Sequence, residues 1–408
     1  MNSILIYILS NNQENYKKME KTADAVVIGG GIMGVSVAHF LAKKNIGKVV
    51  LLEKKILASV STGSSAANIR SAYSNPLTIK LAMRALEMFE NDKDELGGQS
   101  GFCCTGMMAL LGEKHLNAGM EVLKQEIALN TGSKRITIED AKELAPKFNY
   151  DGLIAATYQS RAGYADPILT TRTLAESAVN KWGLVIYEGL SAIGFKIENN
   201  NIIGVKTPKG IISTPIVINA TGPWGRQVGS FANKNYSIRW SREGDLVKEL
   251  PNNFGSFPII ADPTSRIYFR PHKNNMILAG RDYPKGIEPL DINNYNSELD
   301  DYTLKLIEKG LFKRIPSIQS GNYKQGWSSI YTITDDWHPL VGPDIKLNGY
   351  FTCFGGSGHS FKLGPPIGES LADIILGIIP KIDIRDLRSN RFEDGESFSS
   401  AWGSGNRA

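Results

Sequence analysis

The chain has 408 residues, of which 42% are hydrophobic and 21% charged, and a formal net charge of +5. That composition suits a soluble globular protein long enough for two domains, and the scattered Lys and Arg, without a basic block, argue against nucleic-acid binding. Three cysteines, Cys103, Cys104 and Cys353, make neither a disulfide framework nor a zinc site and fit a reducing, cytoplasmic setting. No run of about 18 apolar residues offers a membrane-spanning helix.

The first 18 residues hold a short apolar stretch with no basic front and no cleavage site, a poor match to a signal peptide. In this reading Met19 is the natural start, and residues 1–22 form a disordered extension. Residues 24–28 are a short apolar run suited to a buried parallel strand. Gly29, Gly31 and Gly34 follow with G-x-G-x-x-G spacing, Ile32 and Met33 between them, and open a helix that stops near residues 45–47. Residues 48–52 are a second apolar strand, ended by Glu53 and followed by Lys54. A carboxylate there can accept hydrogen bonds from both ribose hydroxyls of an adenosine, and it disfavours a 2′-phosphate. The unit therefore predicts a dinucleotide, FAD or NAD, with its pyrophosphate at the helix N-terminus.

A small, polar loop comes next. Helices are predicted over 77–95, 116–131, 138–144 and 168–181, with strands over 100–112 and 184–187. A hairpin spans 192–207, and a further strand over 212–219 ends in Ala220-Thr221-Gly222-Pro223-Trp224. From 236 to about 280 the pattern is strand-rich. A helix over 304–315 leads to a second glycine loop, Gly355-Gly356-Ser357-Gly358, and a helix opened by Pro365 and Pro366. The expected fold is α/β: a discontinuous Rossmann-like cofactor domain (23–90, 150–235 and 325–392) with an inserted β-rich α+β substrate domain (91–149 and 236–324). Residues 393–408 are expected to be a flexible tail.

Four segments in order carry a family resemblance: the N-terminal glycine turn, the loop TGSSAANIRSAYS, the strand end INATGPW, and the late stretch from GWSSIYTITDDWHPLVGP through CFGGSGHSFKLGPPIGESLADII. Together, over residues 23–392, they resemble the FAD-dependent amine oxidoreductases of the D-amino-acid-oxidase superfamily, above all the sarcosine oxidase β-subunit type and its dehydrogenase relatives. The resemblance implies FAD rather than NAD. It adds Ser64, Ser65, Thr221, Gly222, Gly355, Gly356, Gly358, His359, Phe361 and Lys362 to the cofactor-contacting set. It also places Arg70, within R-x-A-Y, and Lys362 on the substrate carboxylate, Tyr268 and Tyr331 on the walls of the substrate cage, and His359 against flavin or substrate.

The residue types suit those roles. Arg is an always-charged planar fork matched to a carboxylate. A cation and a helix N-terminus favour the negative charge that reduction places on a flavin edge. Three departures matter. Ser329 stands where several family members carry the cysteine that binds flavin covalently, so non-covalent FAD is expected. The W-x-G-x-R-P arginine of D-amino-acid and glycine oxidases is absent from Trp327-Ser328-Ser329-Ile330-Tyr331-Thr332. The strand at 276–280 lacks the lysine with which monomeric sarcosine oxidases activate oxygen, Leu278 lying near its place.

The implied activity is oxidation of a secondary or N-methylated amino acid, sarcosine- or proline-like. Hydride passes from the C–H next to nitrogen to flavin N5, and the imine is then hydrolysed. Two alternatives remain at this stage: a 2-hydroxy acid or glycerol 3-phosphate dehydrogenase on the same fold, and a flavoprotein subunit active only with a second subunit in a larger complex.

Overall fold

The computed structural model describes residues 19–282, 287 and 290–403. Among the described residues four sheets form, and two of them organise the molecule. The six-stranded sheet runs in the order Leu340–Pro343, Tyr350–Phe354, Val217–Asn219, Ala25–Ile28, Val49–Glu53, Val185–Glu188. All its neighbours are parallel except the first pair. Its central strands, AVVI and VVLLE, are buried on both faces, which is why they read as continuous apolar runs rather than alternating ones. The helix Ile32–Lys43 is buried along almost its whole length, packed between the helices Ser360–Ile375 and Pro167–Trp182.

The eight-stranded sheet runs Tyr323–Thr334, Ile238–Glu249, Met276–Arg281, Ile267–His272, Ile259–Asp262, Met107–Leu111, Ala155–Gln159, Lys134–Ile136. Alternation gives it two unlike faces. Leu246, Phe269, Ile277 and Ala279 point into an apolar core closed by Ile307 and Leu311 of the helix Asp301–Arg314. The opposite face carries Asp245, Gly280 and Tyr268 in one row, and it turns toward the six-stranded sheet's cavity. Ala155–Gln159 and all but the first two residues of Tyr323–Thr334, which fall within the expected cofactor segments, belong to this larger sheet.

Local signals fix several helix starts. Asn75 accepts from the N–H groups of Leu77 and Thr78 ahead of Pro76, Asp166 does the same for Ile168 and Leu169 ahead of Pro167, and Thr137 with Asp140 closes a capping box on Ile138–Leu144. The stretch 77–95 is two helices, Pro76–Glu90 and Asp92–Glu95, divided at Asn91.

Four expectations need correction. The strand expected over 212–219 is two strands in different sheets, Gly210–Ser213 and Val217–Asn219, because Pro215 between them has no N–H to give a ladder. The last helix starts at Ser360, not at the prolines: Leu363 N–H already bonds His359 C=O, and buried Phe361 and Leu363 hold the first turn, so Pro365 and Pro366 lie inside the helix. Residues 19–22 are not loose. Thr22 bridges Ser213, and Glu20 bonds Tyr187 Oη and Lys48 Nζ. Most of the expected extension, 1–18, lies outside the described residues. Residues 393–403 fold back on the body: Phe398 N–H donates to Asp336 Oδ2 at 3.2 Å, its ring stacks on His338 at 4.2 Å, and Ala401 N–H reaches Ser74 Oγ. The remainder of the expected tail, 404–408, lies outside the described residues.

Candidate active site

Parallel strands end their carboxyl termini on one edge, and the ligand crevice of such a sheet opens there. Ile28, Glu53, Ala220 and Phe354 stand at or just past four such ends, and all line one cavity of about 570 Å³. The strands ending in Glu53 and Phe354 are three spacings apart, roughly 14 Å, so the cavity extends along the sheet edge.

At its first glycine turn, Gly29 has φ +113°, and a Cβ there would meet Ala220 O at 2.4 Å; a Cβ on Gly34 would meet Gly29 O at 2.0 Å. Both glycines are therefore required for the strand, turn and helix to touch. Gly34 is buried beneath the cavity rather than on its wall. The N-cap of the helix Ile32–Lys43, Gly31, has no side chain to offer, Ile32 N–H donates to Thr62 Oγ1 at 3.1 Å, and Gly31, Ile32 and Met33 present the helix's positive end to the cavity. Glu53 accepts from Gly30 N–H and Lys55 N–H, each at 2.7 Å, which leaves two of a carboxylate's lone-pair sites for hydroxyl donors. The ammonium of Lys54 lies 3.2 Å from the Trp224 ring centre; partial desolvation, then the charge of Lys55, lowers its pKa to about 8.

Ser64, Ser65, Thr221, Gly222, Gly355, Gly356, Gly358, Phe361 and Tyr331 also line the cavity. The loop carrying the two serines is tied to the larger sheet: Ser61 Oγ donates to Ile330 O at 2.6 Å, Trp327 Nε1 to Ser64 O at 3.0 Å, and Arg270 Nε to Ala66 O at 2.8 Å. Ser329 Oγ, buried on the cavity wall, has no hydrogen-bond partner among the described residues.

Arg70, His359 and Lys362 stand behind this lining and meet at Tyr73. The Arg70 guanidinium lies 4.4 Å and the Lys362 ammonium 5.8 Å from the centre of the Tyr73 ring, and His359 Nδ1 is 2.9 Å from Tyr73 Oη. Arg70 also donates to Ala72 O. Because the last helix begins at Ser360, Lys362 occupies its first turn, adding its charge to the helix's positive end. Tyr268 stands apart from this group, its hydroxyl donating to Asp245 Oδ1 at 2.5 Å.

Sequence reasoning assigned no role to Tyr73, Glu243 or Asp245. Tyr73 ends the R-x-A-Y motif, so its signal was present. Glu243 and Asp245 are acids on an alternating strand, a pattern that fixes one face but not what that face meets.

The site suits a long ligand with hydroxyls at the Glu53 end, a pyrophosphate at the glycine turn and an aromatic system near Gly355–Gly358. A family model described as DAO, FAD dependent oxidoreductase, matches residues 24–374. The chain belongs to this family. Three similarities give the family member its context. Mitochondrial sarcosine dehydrogenase of Mus musculus is 24% identical over 396 residues, covering 94% of this chain and 43% of that protein. The mitochondrial pyruvate dehydrogenase phosphatase regulatory subunit of Mus musculus is 26% identical over 392 residues, covering 91% and 43%. The crystal structure of L-proline dehydrogenase from P. horikoshii superposes with a TM-score of 0.86 at 29% identity, covering 93% of this chain and 100% of that one. The chain spans less than half the length of the two mouse proteins. The FAD-dependent oxidoreductase has no helix, among the described residues, long and apolar enough to cross a membrane. Its glycine-turn helix end and Glu53 carboxylate fit the cofactor.

Proposed function

We propose that this oxidoreductase oxidises a secondary or N-methylated amino acid, sarcosine- or proline-like. The observation that carries the reading is the meeting of Arg70 and Lys362 at one buried ring, Tyr73, beside the glycine loop that opens the last helix. Two cations beside a helix N-terminus form a site for a carboxylate.

FAD, when bound, supplies the two-electron acceptor for the C–H next to the substrate nitrogen. Glu53 and the helix end at the glycine turn would hold its adenosine and pyrophosphate, and Ser329, which cannot form a thioether, would leave it non-covalent. Arg70 and Lys362 grip the substrate carboxylate. Tyr331 on the cavity wall and Tyr268 border the space left for the carbon chain. The protein's contribution is orientation, worth about 7–11 kcal/mol at the upper limit. The imine product is hydrolysed in water.

The test is anaerobic bleaching of the flavin band at about 450 nm. Sarcosine, proline or a related amino acid at millimolar concentration should bleach it; a protein bleached only by 2-hydroxy acids or glycerol 3-phosphate refutes the proposal. Lys362→Met should weaken the amino acid by about 100-fold in the same titration. Acid precipitation should leave the colour in solution.

A second reading is favoured by one similarity, that to a regulatory subunit: the chain works only with a second subunit. Purified alone, it then gives no turnover with an artificial dye, whereas robust solo turnover removes this reading. The exposed thiols Cys103 and Cys104 support a reducing, cytoplasmic setting as part of the proposal.

A further inference from the structure

Amino acids and 2-hydroxy acids share a carboxylate, so Arg70 and Lys362 cannot tell them apart. The distinction has to be made at the other end of the molecule, where one carries an ammonium and the other a hydroxyl. A carboxylate facing the cavity is the side chain that makes it, because it attracts a cation far more than it attracts a neutral hydroxyl.

Asp245 is such a group. It is 7% exposed, lines the cavity, and accepts a 2.5 Å hydrogen bond from Tyr268 on Oδ1. Gly280 lies opposite both residues in the strand registers. A Cβ built there would fall 2.0 Å from Asp245 Oδ1 and 2.5 Å from Tyr268 Oη, so this bond occupies the space a side chain at 280 would fill. Glu243, two residues along the same face, also lines the cavity and accepts from Ser241 Oγ at 2.6 Å. A second, independent feature points to a ligand here. Ser329 pairs with Glu243 across the strands, is 6% exposed, lines the cavity, and its hydroxyl has no partner among the described residues.

Cationic side chains flank this carboxylate as well. Arg270, one row away on the same face, interacts electrostatically with Asp245, but its guanidinium donates to Ala66 O and lies 4.2 Å from the Tyr164 ring centre. Trp327, opposite Asp245 on the last strand of the sheet, brings no charge, and Arg281 closes the strand beside Gly280.

We infer that Asp245, held by Tyr268 over Gly280, is the specificity-determining residue that selects a substrate with a cationic nitrogen over its hydroxy analogue. This rests on the carboxylate-binding reading above. Hydride leaves only the neutral amine, so the ammonium first gives up one proton to solvent; the iminium charge that then develops at nitrogen as the C–H bond breaks faces the same carboxylate.

The experiment is calorimetric binding of an isosteric pair, 2-aminoisobutyrate and 2-hydroxyisobutyrate, to the FAD-loaded enzyme. Neither has a hydrogen on the carbon bearing its nitrogen or oxygen, so neither is oxidised there and binding alone is read. The wild type should prefer the amino acid by tenfold or more. Asp245→Asn should bring the two within about twofold by weakening the amino acid alone. Gly280→Ala, which displaces the carboxylate with Asp245 retained, should reduce the preference in the same direction. A preference that survives both substitutions, or that the wild type lacks, overturns the inference. Failure of the underlying reading looks different: the wild type then binds neither acid.

Discussion

Tyr73 Oη lies 2.9 Å from His359 Nδ1, joining the loop that follows Arg70 to the residue capping the helix of Lys362. Segments 286 positions apart are thereby held in one arrangement, and the ring between the two cations is fixed at one end. Tyr73→Phe keeps the ring and removes the hydroxyl. A neutral hydrogen bond is worth about 0.5–1.5 kcal/mol, so substrate affinity should fall roughly threefold to tenfold while the flavin stays bound. Anaerobic titration of the flavin spectrum measures both.

Glu53 is the acid at the adenosine end, with an N–H on each oxygen. Glu53→Gln removes the charge and sets an amide NH₂ against a backbone N–H. Charged hydrogen bonds contribute about 1.5–3 kcal/mol, so FAD affinity should drop by roughly tenfold to a hundredfold. Recovery of free-flavin fluorescence on serial dilution reports it, and an unchanged dissociation constant contradicts the assignment.

His39 supplies a pH dependence of folding. It is fully buried, and burial, with the Leu174 carbonyl opposing by accepting from Nδ1 at 2.9 Å, lowers its pKa from 6.5 to about 4. The folded protein takes up this proton less readily than the unfolded chain. Stability from His39 is therefore complete above pH 6.5 and is lost as pH falls toward 4, by about 3 kcal/mol at most. Urea midpoints should decline between pH 7 and pH 4.5, and His39→Gln should flatten that decline while lowering stability at pH 7.

Arg391 and Asp336 form a buried pair, with side chains only 1% and 2% exposed, and Asp336 also accepts from Phe398 N–H. Removing one partner of a buried ion pair costs about 3–5 kcal/mol. Arg391→Met should expose the chain after residue 391 to proteolysis under conditions where the wild type is resistant, seen as a shortened band in limited digestion.

Residues that interact with near neighbours in the chain were legible. The glycines at 29, 31 and 34, Glu53 and the helices over 138–144 and 168–181 each depend on spacings of a few residues. What depends on distant partners was not. Nothing local shows that Tyr323–Thr334 pairs with Ile238–Glu249, and so nothing showed which of their faces meets the cavity, where Glu243 and Asp245 stand. Pro365 and Pro366 look like a helix start because proline favours the first turn; burial of Phe361 and Leu363 moves the start five residues earlier. The polar residues after 393 look frayed until Phe398 finds His338.

The cavity's wall is shared between the glycine turn near residue 30, the strand ending at Thr334 and the loop at 355–358. On a ribosome adding about 5–20 residues per second, the last of these emerges on the order of tens of seconds after the first. Through that interval the first βαβ unit stands without the strand that carries Ile330 and Trp327, to which its serine loop is later tied. Cofactor capture is therefore a late event in the life of each newly made chain, and flavin shortage should be felt by nascent molecules before it is felt by finished ones.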